Sequence, residues 1–185
     1  MKTLGELGKY QQRRRLAIAL LIGLLVVALF FVRSRSIGHL HEYIESFGIS
    51  LIVAAILGRM WCTLYIGGRK SAEIVQTGPY SMTRNPLYVF SSIGAIGIGA
   101  QTGSIIIALA FGVLCYLAFS TVIRTEEKFL KANFGKPYED YCARVPRFFP
   151  SFSLFRDDDE LRVKPDRLYR TFTDGLAFFL AYPVF

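Results

Sequence analysis

The sequence predicts an all-α protein: a polytopic membrane helical bundle of about four transmembrane helices in two hairpins, with a cytoplasmic C-terminal helical lid. Residues 1–185 read as a single integral-membrane domain. Three observations predict this. The 185-residue chain is 52% hydrophobic and 15% aromatic but only 19% charged, with a mean hydropathy of +0.37, a balance rare among soluble domains. Apolar runs close to the thickness of a bilayer core alternate with short polar strings. The basic residues gather on one side of that alternation.

The first predicted span, 16–32, follows Arg13-Arg14-Arg15. It is longer than a usual signal-peptide core and no small-residue cleavage site follows, only Arg33-Ser34-Arg35, so it reads as a retained helix. The second and fourth spans, 47–66 and 104–123, approach or meet the roughly 20 apolar residues a crossing requires. The third, 87–100, is short and carries Gly94, Gly97 and Gly99; it crosses only with tilt or by packing closely on a neighbour. Its glycines imitate a dinucleotide fingerprint, but no strand precedes them, and close helix packing explains them better.

Charge sets the orientation. With both termini cytoplasmic, the inner side receives Lys2, Lys9, Arg13, Arg14, Arg15, Arg69, Lys70, Arg84 and every basic residue from Arg124 onward, and the outer side only Arg33 and Arg35. That distribution assigns the net charge of +8 to a membrane surface and predicts no nucleic-acid partner. It leaves a bacterial inner membrane and an endoplasmic reticulum equally open. Cys62, Cys115 and Cys142 form neither a disulfide framework nor a metal signature, and no metal is predicted. His39 and His41 fall near the outer face and receive no chemistry. Residues 124–185 form the cytoplasmic region. Within it, 156–167 reads as a solvated charged loop, and 175–185 as an interfacial helix or cover over the site, or else a truncated fifth span.

Two polar strings carry the chemistry. In the first, 77–88, Gly78-Pro79 and Asn85-Pro86 stiffen the backbone twice, displaying Tyr80, Arg84 and Asn85 from a rigid connection. Pro86 suits the first position of the next helix. The bland alternative is a helix start with Tyr80 and Tyr88 as interfacial anchors. In the second, 124–150, a helix over 120–134 leaves the membrane with Arg124 and Glu127 on one face and Glu126 pointing elsewhere. A carboxylate beside lipid requires a polar cavity or a cation, so Glu127 is the candidate for the positive amino group of a cofactor; an ordinary surface pair with Arg124 or Lys131 is the alternative. Phe134-Gly135 ends that helix. Tyr138, Tyr141 and Arg144 follow on a new helical face suited to an adenine ring or a carboxylate, or to simple membrane adhesion. Arg59 is the one basic residue inside a span and is a candidate substrate contact, with snorkelling to the interface as the alternative.

These strings resemble the integral-membrane methyltransferases that include isoprenylcysteine carboxyl methyltransferases and phospholipid N-methyltransferases. The resemblance rests on G-P-Y-x-x-x-R-[HN]-P-x-Y at 78–88, E-E-x-x-L at 126–130, F-G at 134–135, Y-x-x-Y at 138–141 and R-V-P at 144–146. It implies S-adenosylmethionine as cofactor (S-adenosylhomocysteine as product), bound at the cytosolic face by Tyr80, Arg84, Asn85, Tyr88, Glu127, Tyr141 and Arg144. It implies Arg124 nearest the substrate's polar end, with Arg124, Glu127 and Asn85 as the catalytic candidates. Many members carry His where this chain has Asn85, and asparagine does not titrate near neutrality.

The implied reaction is methyl transfer to a lipophilic acceptor drawn from membrane lipids, an isoprenylcysteine-like carboxylate or a lipid head group. A carboxylate needs no base whereas an amine must arrive unprotonated, which favours a pre-ionised acceptor. Two other classes compete: an NADPH-dependent enzyme like the membrane sterol reductases, which share R-x-P-x-Y and F-G…Y strings, and a non-catalytic membrane scaffold.

Overall fold

A computed structural model describes residues 39–67, 73–161 and 163–179. The predicted span 16–32 and the stretch 180–185 lie outside them. The described residues form helices joined by connections of one to about a dozen residues and by a longer one at 145–164, with no strand: α1 (His39–Ile66), α2 (Pro79–Met82), α3 (Pro86–Ala100), α4 (Ile105–Phe134), α5 (Lys136–Arg144), a 3-10 turn (Phe152–Leu154) and α6 (Pro165–Leu176).

Helices α1 and α4 are long and apolar enough to cross a membrane. Helix α1 starts at His39 rather than 47, because His41, Glu42 and Glu45 are compatible with helix though not with a hydropathy window; His41 Nε2 and Glu45 Oε1 pair at 2.8 Å one turn apart. Helix α4 runs unbroken beyond 123 to Phe134, roughly 45 Å at 1.5 Å per residue, so it carries its polar end past a hydrocarbon core of roughly 30 Å. Ile106, Leu109, Val113 and Leu117 form an exposed apolar stripe along it. Such a stripe is unfavourable in water and suits lipid.

Helix α3 begins at Pro86, where the missing N–H has no helical acceptor to lose. Its 15 residues extend roughly 22 Å, short of a full crossing. It packs between α1 and α4. A Cβ on Gly97 would lie 2.7 Å from Gly48 O and 2.9 Å from Ile52 Cγ1. Only a residue without a side chain permits that approach of backbones.

Helix α6 replaces part of the predicted charged loop. It lies antiparallel to α1: Thr171 Oγ1 and Thr63 Oγ1 are 3.0 Å apart, Gly175 sits against Ile56, and Arg167 Cβ approaches Gly67. Leu168, Thr171 and Gly175 make the inward stripe. The polar residues between them hid this amphipathic helix from a hydropathy reading.

Candidate functional site

The two polar strings fold against each other at the end of the bundle where α1, α3 and α4 present 66, 86 and 127. Gly78 holds φ 57°, and a Cβ there would collide with the Tyr65 ring, so glycine is required twice over. From it the chain runs through α2 into an extended Thr83. The stretch 78–85 is then laced to 146–156. Arg84 N donates to Pro146 O at 2.9 Å, Ser151 N to Met82 O at 2.9 Å and Gly78 N to Arg156 O at 2.7 Å. Thr83 Oγ1 donates to Phe148 O at 3.0 Å, and Arg156 N to Ser81 Oγ at 3.0 Å. Backbone donors and acceptors are thereby satisfied outside regular structure.

This lacing positions a buried carboxylate between two guanidinium groups. Glu127, 6% exposed, has Oε1 3.1 Å from Arg84 Nη1. Arg147 Nη2 donates to its Oε2 at 2.8 Å, and Arg147 Nε contacts both oxygens at 3.0 and 3.1 Å. Two opposed charges and a bidentate fork offset the several kcal/mol, roughly, that a carboxylate loses on leaving water. Those hydrogen bonds to Glu127 raise the Arg147 pKa further. The arginines differ in access: the Arg84 side chain is 10% exposed and the Arg147 side chain 50%. Arg84 Nε is buried with no hydrogen-bond partner among the described residues.

Tyrosines surround the cluster. Tyr141 OH donates to Tyr80 O at 2.7 Å, tying α5 to α2. Tyr138 packs on Tyr141 with ring centroids 6.0 Å apart. Burial pushes the phenols of Tyr80, Tyr138 and Tyr141 above their ordinary pKa, so all three remain neutral donors at physiological pH. Tyr88 OH donates to Glu126 Oε2 at 3.1 Å, and Asn85 Nδ2 donates to Arg147 O at 2.9 Å. Arg144 Nη2 donates to Gln76 Oε1 at 2.7 Å on the exposed side.

Of the residues predicted from sequence, Arg84 and Glu127 therefore touch, while Tyr80 and Tyr141 are joined directly. Asn85 reaches the cluster through Arg147, Tyr88 through the neighbouring Glu126. Arg124 does not share Glu127's surroundings: it is exposed and takes no part in the cluster. Residues three apart on a helix differ by roughly 60° around its axis, enough for Glu127 to turn inward with Ile123 while Arg124 stays outside. Arg147 was not anticipated; its signal was the second arginine of R-V-P-R, one position beyond the motif. Arg59 lies elsewhere, its Nη1 donating to Ser91 Oγ. No group of three or more His, Cys, Asp or Glu able to hold a metal occurs among the described residues.

Comparison with known proteins adds to this geometry. The family model for phospholipid methyltransferases matches residues 15–137. The chain is similar to the nickel-cobalt-cadmium resistance protein NccN of Alcaligenes xylosoxydans xylosoxydans, at 44% identity over 131 residues, covering 71% of this chain and 61% of that protein. It is similar to the cobalt-zinc-cadmium resistance protein CzcN of Cupriavidus metallidurans, at 35% identity over 160 residues, covering 83% and 74% respectively. It is also similar to protein-S-isoprenylcysteine O-methyltransferase B of Arabidopsis thaliana, at 32% identity over 120 residues, covering 60% of this chain and 61% of the other. No solved structure matches the chain significantly.

Proposed function

Because the chain belongs to the phospholipid methyltransferase family, we propose that it is a membrane enzyme transferring a methyl group from S-adenosylmethionine to a lipophilic, membrane-embedded acceptor. The acceptor class is an isoprenylcysteine-like carboxylate or a lipid head group. In this reading the bundle has four spans with both termini cytoplasmic, and the C-terminal region forms the lid.

One observation carries the reading: the buried contact between Arg84 and Glu127, which brings both polar strings to one place. The donor set fits the cofactor. A zwitterionic amino-acid end needs a carboxylate for its ammonium and a guanidinium for its carboxylate. Glu127 supplies the first, and Arg84, with its unpartnered buried Nε, and Arg144 supply the second. Tyr80, Tyr88, Tyr141 and Asn85 complete the proposed pocket by shape and neutral hydrogen bonding.

When bound, S-adenosylmethionine supplies an electrophilic methyl on a sulfonium, so the protein's contribution is alignment and exclusion of water. Effective molarities of well-oriented pairs reach on the order of 10⁵ M. Glu127 exchanges part of its contact with the half-exposed Arg147 for the ammonium. Arg124, on the exposed face of α4, is assigned to the acceptor's polar end. Asn85 holds the Arg147 carbonyl rather than moving a proton, which favours an acceptor that arrives already ionised.

The test uses membranes containing the full chain and methyl-labelled S-adenosylmethionine, with and without nickel, cobalt, zinc or cadmium because two relatives are named for resistance to such metals. Label should enter a lipid-soluble product. A binding titration of S-adenosylhomocysteine against NADPH decides between transfer and reduction: NADPH binding alone indicates a reductase, and binding of neither indicates a scaffold.

A further inference from the structure

A second polar centre lies inside the bundle, apart from the Glu127 cluster. Arg59 sits on α1 roughly 10 Å along the axis from the helix end at Ile66. One of its nitrogens, Nη1, donates to Ser91 Oγ of α3, and that hydroxyl already donates to Leu87 O at 2.8 Å. The guanidinium carbon lies 5.8 Å from the centre of the Phe178 ring. Its Nε is buried without a hydrogen-bond partner among the described residues. Asp174 of α6 lies close enough to attract it electrostatically but makes no ion pair with it. A hydroxyl, a ring face and a carboxylate beyond ion-pair distance leave the guanidinium without a direct counter-charge at membrane depth, where ionisable side chains pair with an opposite charge or serve a ligand.

We infer that Arg59 and Ser91, beneath Phe178, form the binding site for the anionic group, carboxylate or phosphate, of a membrane-borne amphiphile. This inference stands apart from the proposed methyl transfer: the amphiphile is a lipid held inside the bundle, and the acceptor's polar end stays with Arg124. Ser91 and Tyr88 are three residues apart on α3 and share a face; Tyr88 reaches Glu126 at the cofactor end. An anion held at Arg59 therefore lies about one helical turn from the proposed cofactor pocket. Phe178 also packs against Gly94, whose added Cβ would meet its Cε2 at 2.9 Å, so the C-terminal segment closes the centre on the third side.

Trp61, the single tryptophan, packs edge-on against Phe90, the residue before Ser91, with ring centroids 6.4 Å apart, and reports occupancy. The full chain is placed in phosphatidylcholine nanodiscs, and its fluorescence is titrated with dibrominated stearate, dibrominated phosphatidic acid or dibrominated phosphatidylcholine. Half-maximal quenching is expected at a mole fraction at least fivefold lower for an anionic quencher than for the zwitterionic one. Preference for stearate identifies a carboxylate, and preference for phosphatidic acid a phosphate. Arg59→Gln should abolish the preference and Arg59→Lys retain part of it. Equal quenching by all three lipids in the unaltered protein overturns the inference, whether or not Arg59→Gln folds; so does a preference unchanged in Arg59→Gln. S-adenosylhomocysteine binding is measured on the same samples. Its loss with the anion preference intact would refute methyl transfer and leave this site standing.

Discussion

Arg84 Nη1 and Glu127 Oε1 meet at 3.1 Å across the gap between the connection before α3 and the C-terminal third of α4. The contact is buried on both sides and joined by the bidentate fork of Arg147. Its consequences are measurable.

Removing the Glu127 charge should weaken cofactor binding. Glu127→Gln keeps size and hydrogen bonding but loses the countercharge to an ammonium. S-adenosylhomocysteine affinity is expected to fall at least tenfold, about 1.4 kcal/mol. Unchanged affinity by calorimetry would reject the assigned role.

The two arginines should contribute unequally to stability. Arg84 is nearly enclosed, so Arg84→Ala leaves a buried carboxylate short of one partner and should cost about 3 kcal/mol. Arg147 is half exposed and solvent screens its pair, so Arg147→Ala should cost about 1 kcal/mol or less. Denaturant unfolding in detergent micelles ranks them; a larger loss from Arg147→Ala would contradict the picture.

Packing of α3 on α1 leaves no room at Gly97. A leucine there must displace Gly48 O or Ile52, and overpacking of this kind costs about 1–3 kcal/mol or prevents assembly. Gly135→Ala meets no atom within 4 Å and is opposed only by its backbone conformation, with φ at 59°. With ψ at −133° that backbone lies outside the left-handed helical region, in a conformation where essentially only glycine is found, so the cost should be about 1–3 kcal/mol, with the helix junction retained by circular dichroism. A tolerated Gly97→Leu would mean that α3 does not lie where it is described.

Alkaline pH should destabilise the cluster. Burial raises the phenol pKa values of Tyr80, Tyr138 and Tyr141 in the folded state, while the unfolded phenols titrate near about 10. Above that pH the unfolded chain has released protons that the folded one retains, so stability falls as pH rises. Below it their contribution is fully present. Tyr141→Phe removes one titrating group and the bond to Tyr80 O, so it should be less stable at pH 8 and show a shallower alkaline decline. Identical slopes would place Tyr141 in a more solvated setting.

Local sequence was enough for the helical class, the apolar character of α1 and α4, the helix start at Pro86 and the break at Gly135; the short helix at Pro79 emerged only in the fold. Each of the former follows from local chemistry: apolar run length, a fixed proline φ, or a positive φ that glycine accepts. It also identified the two polar strings, because their residue types and spacing stand out against apolar flanks. Tertiary structure alone decided which side chains meet. Arg124 and Glu127 are equally plausible inward residues by spacing, and only packing around Ile123 selects Glu127. Arg147 enters because a hydrogen-bonded connection folds back on Thr83 and Arg84, and α6 emerges because its thin inward stripe has α1 to lie against. Pairing depends on long-range placement of the backbone, which no single segment encodes.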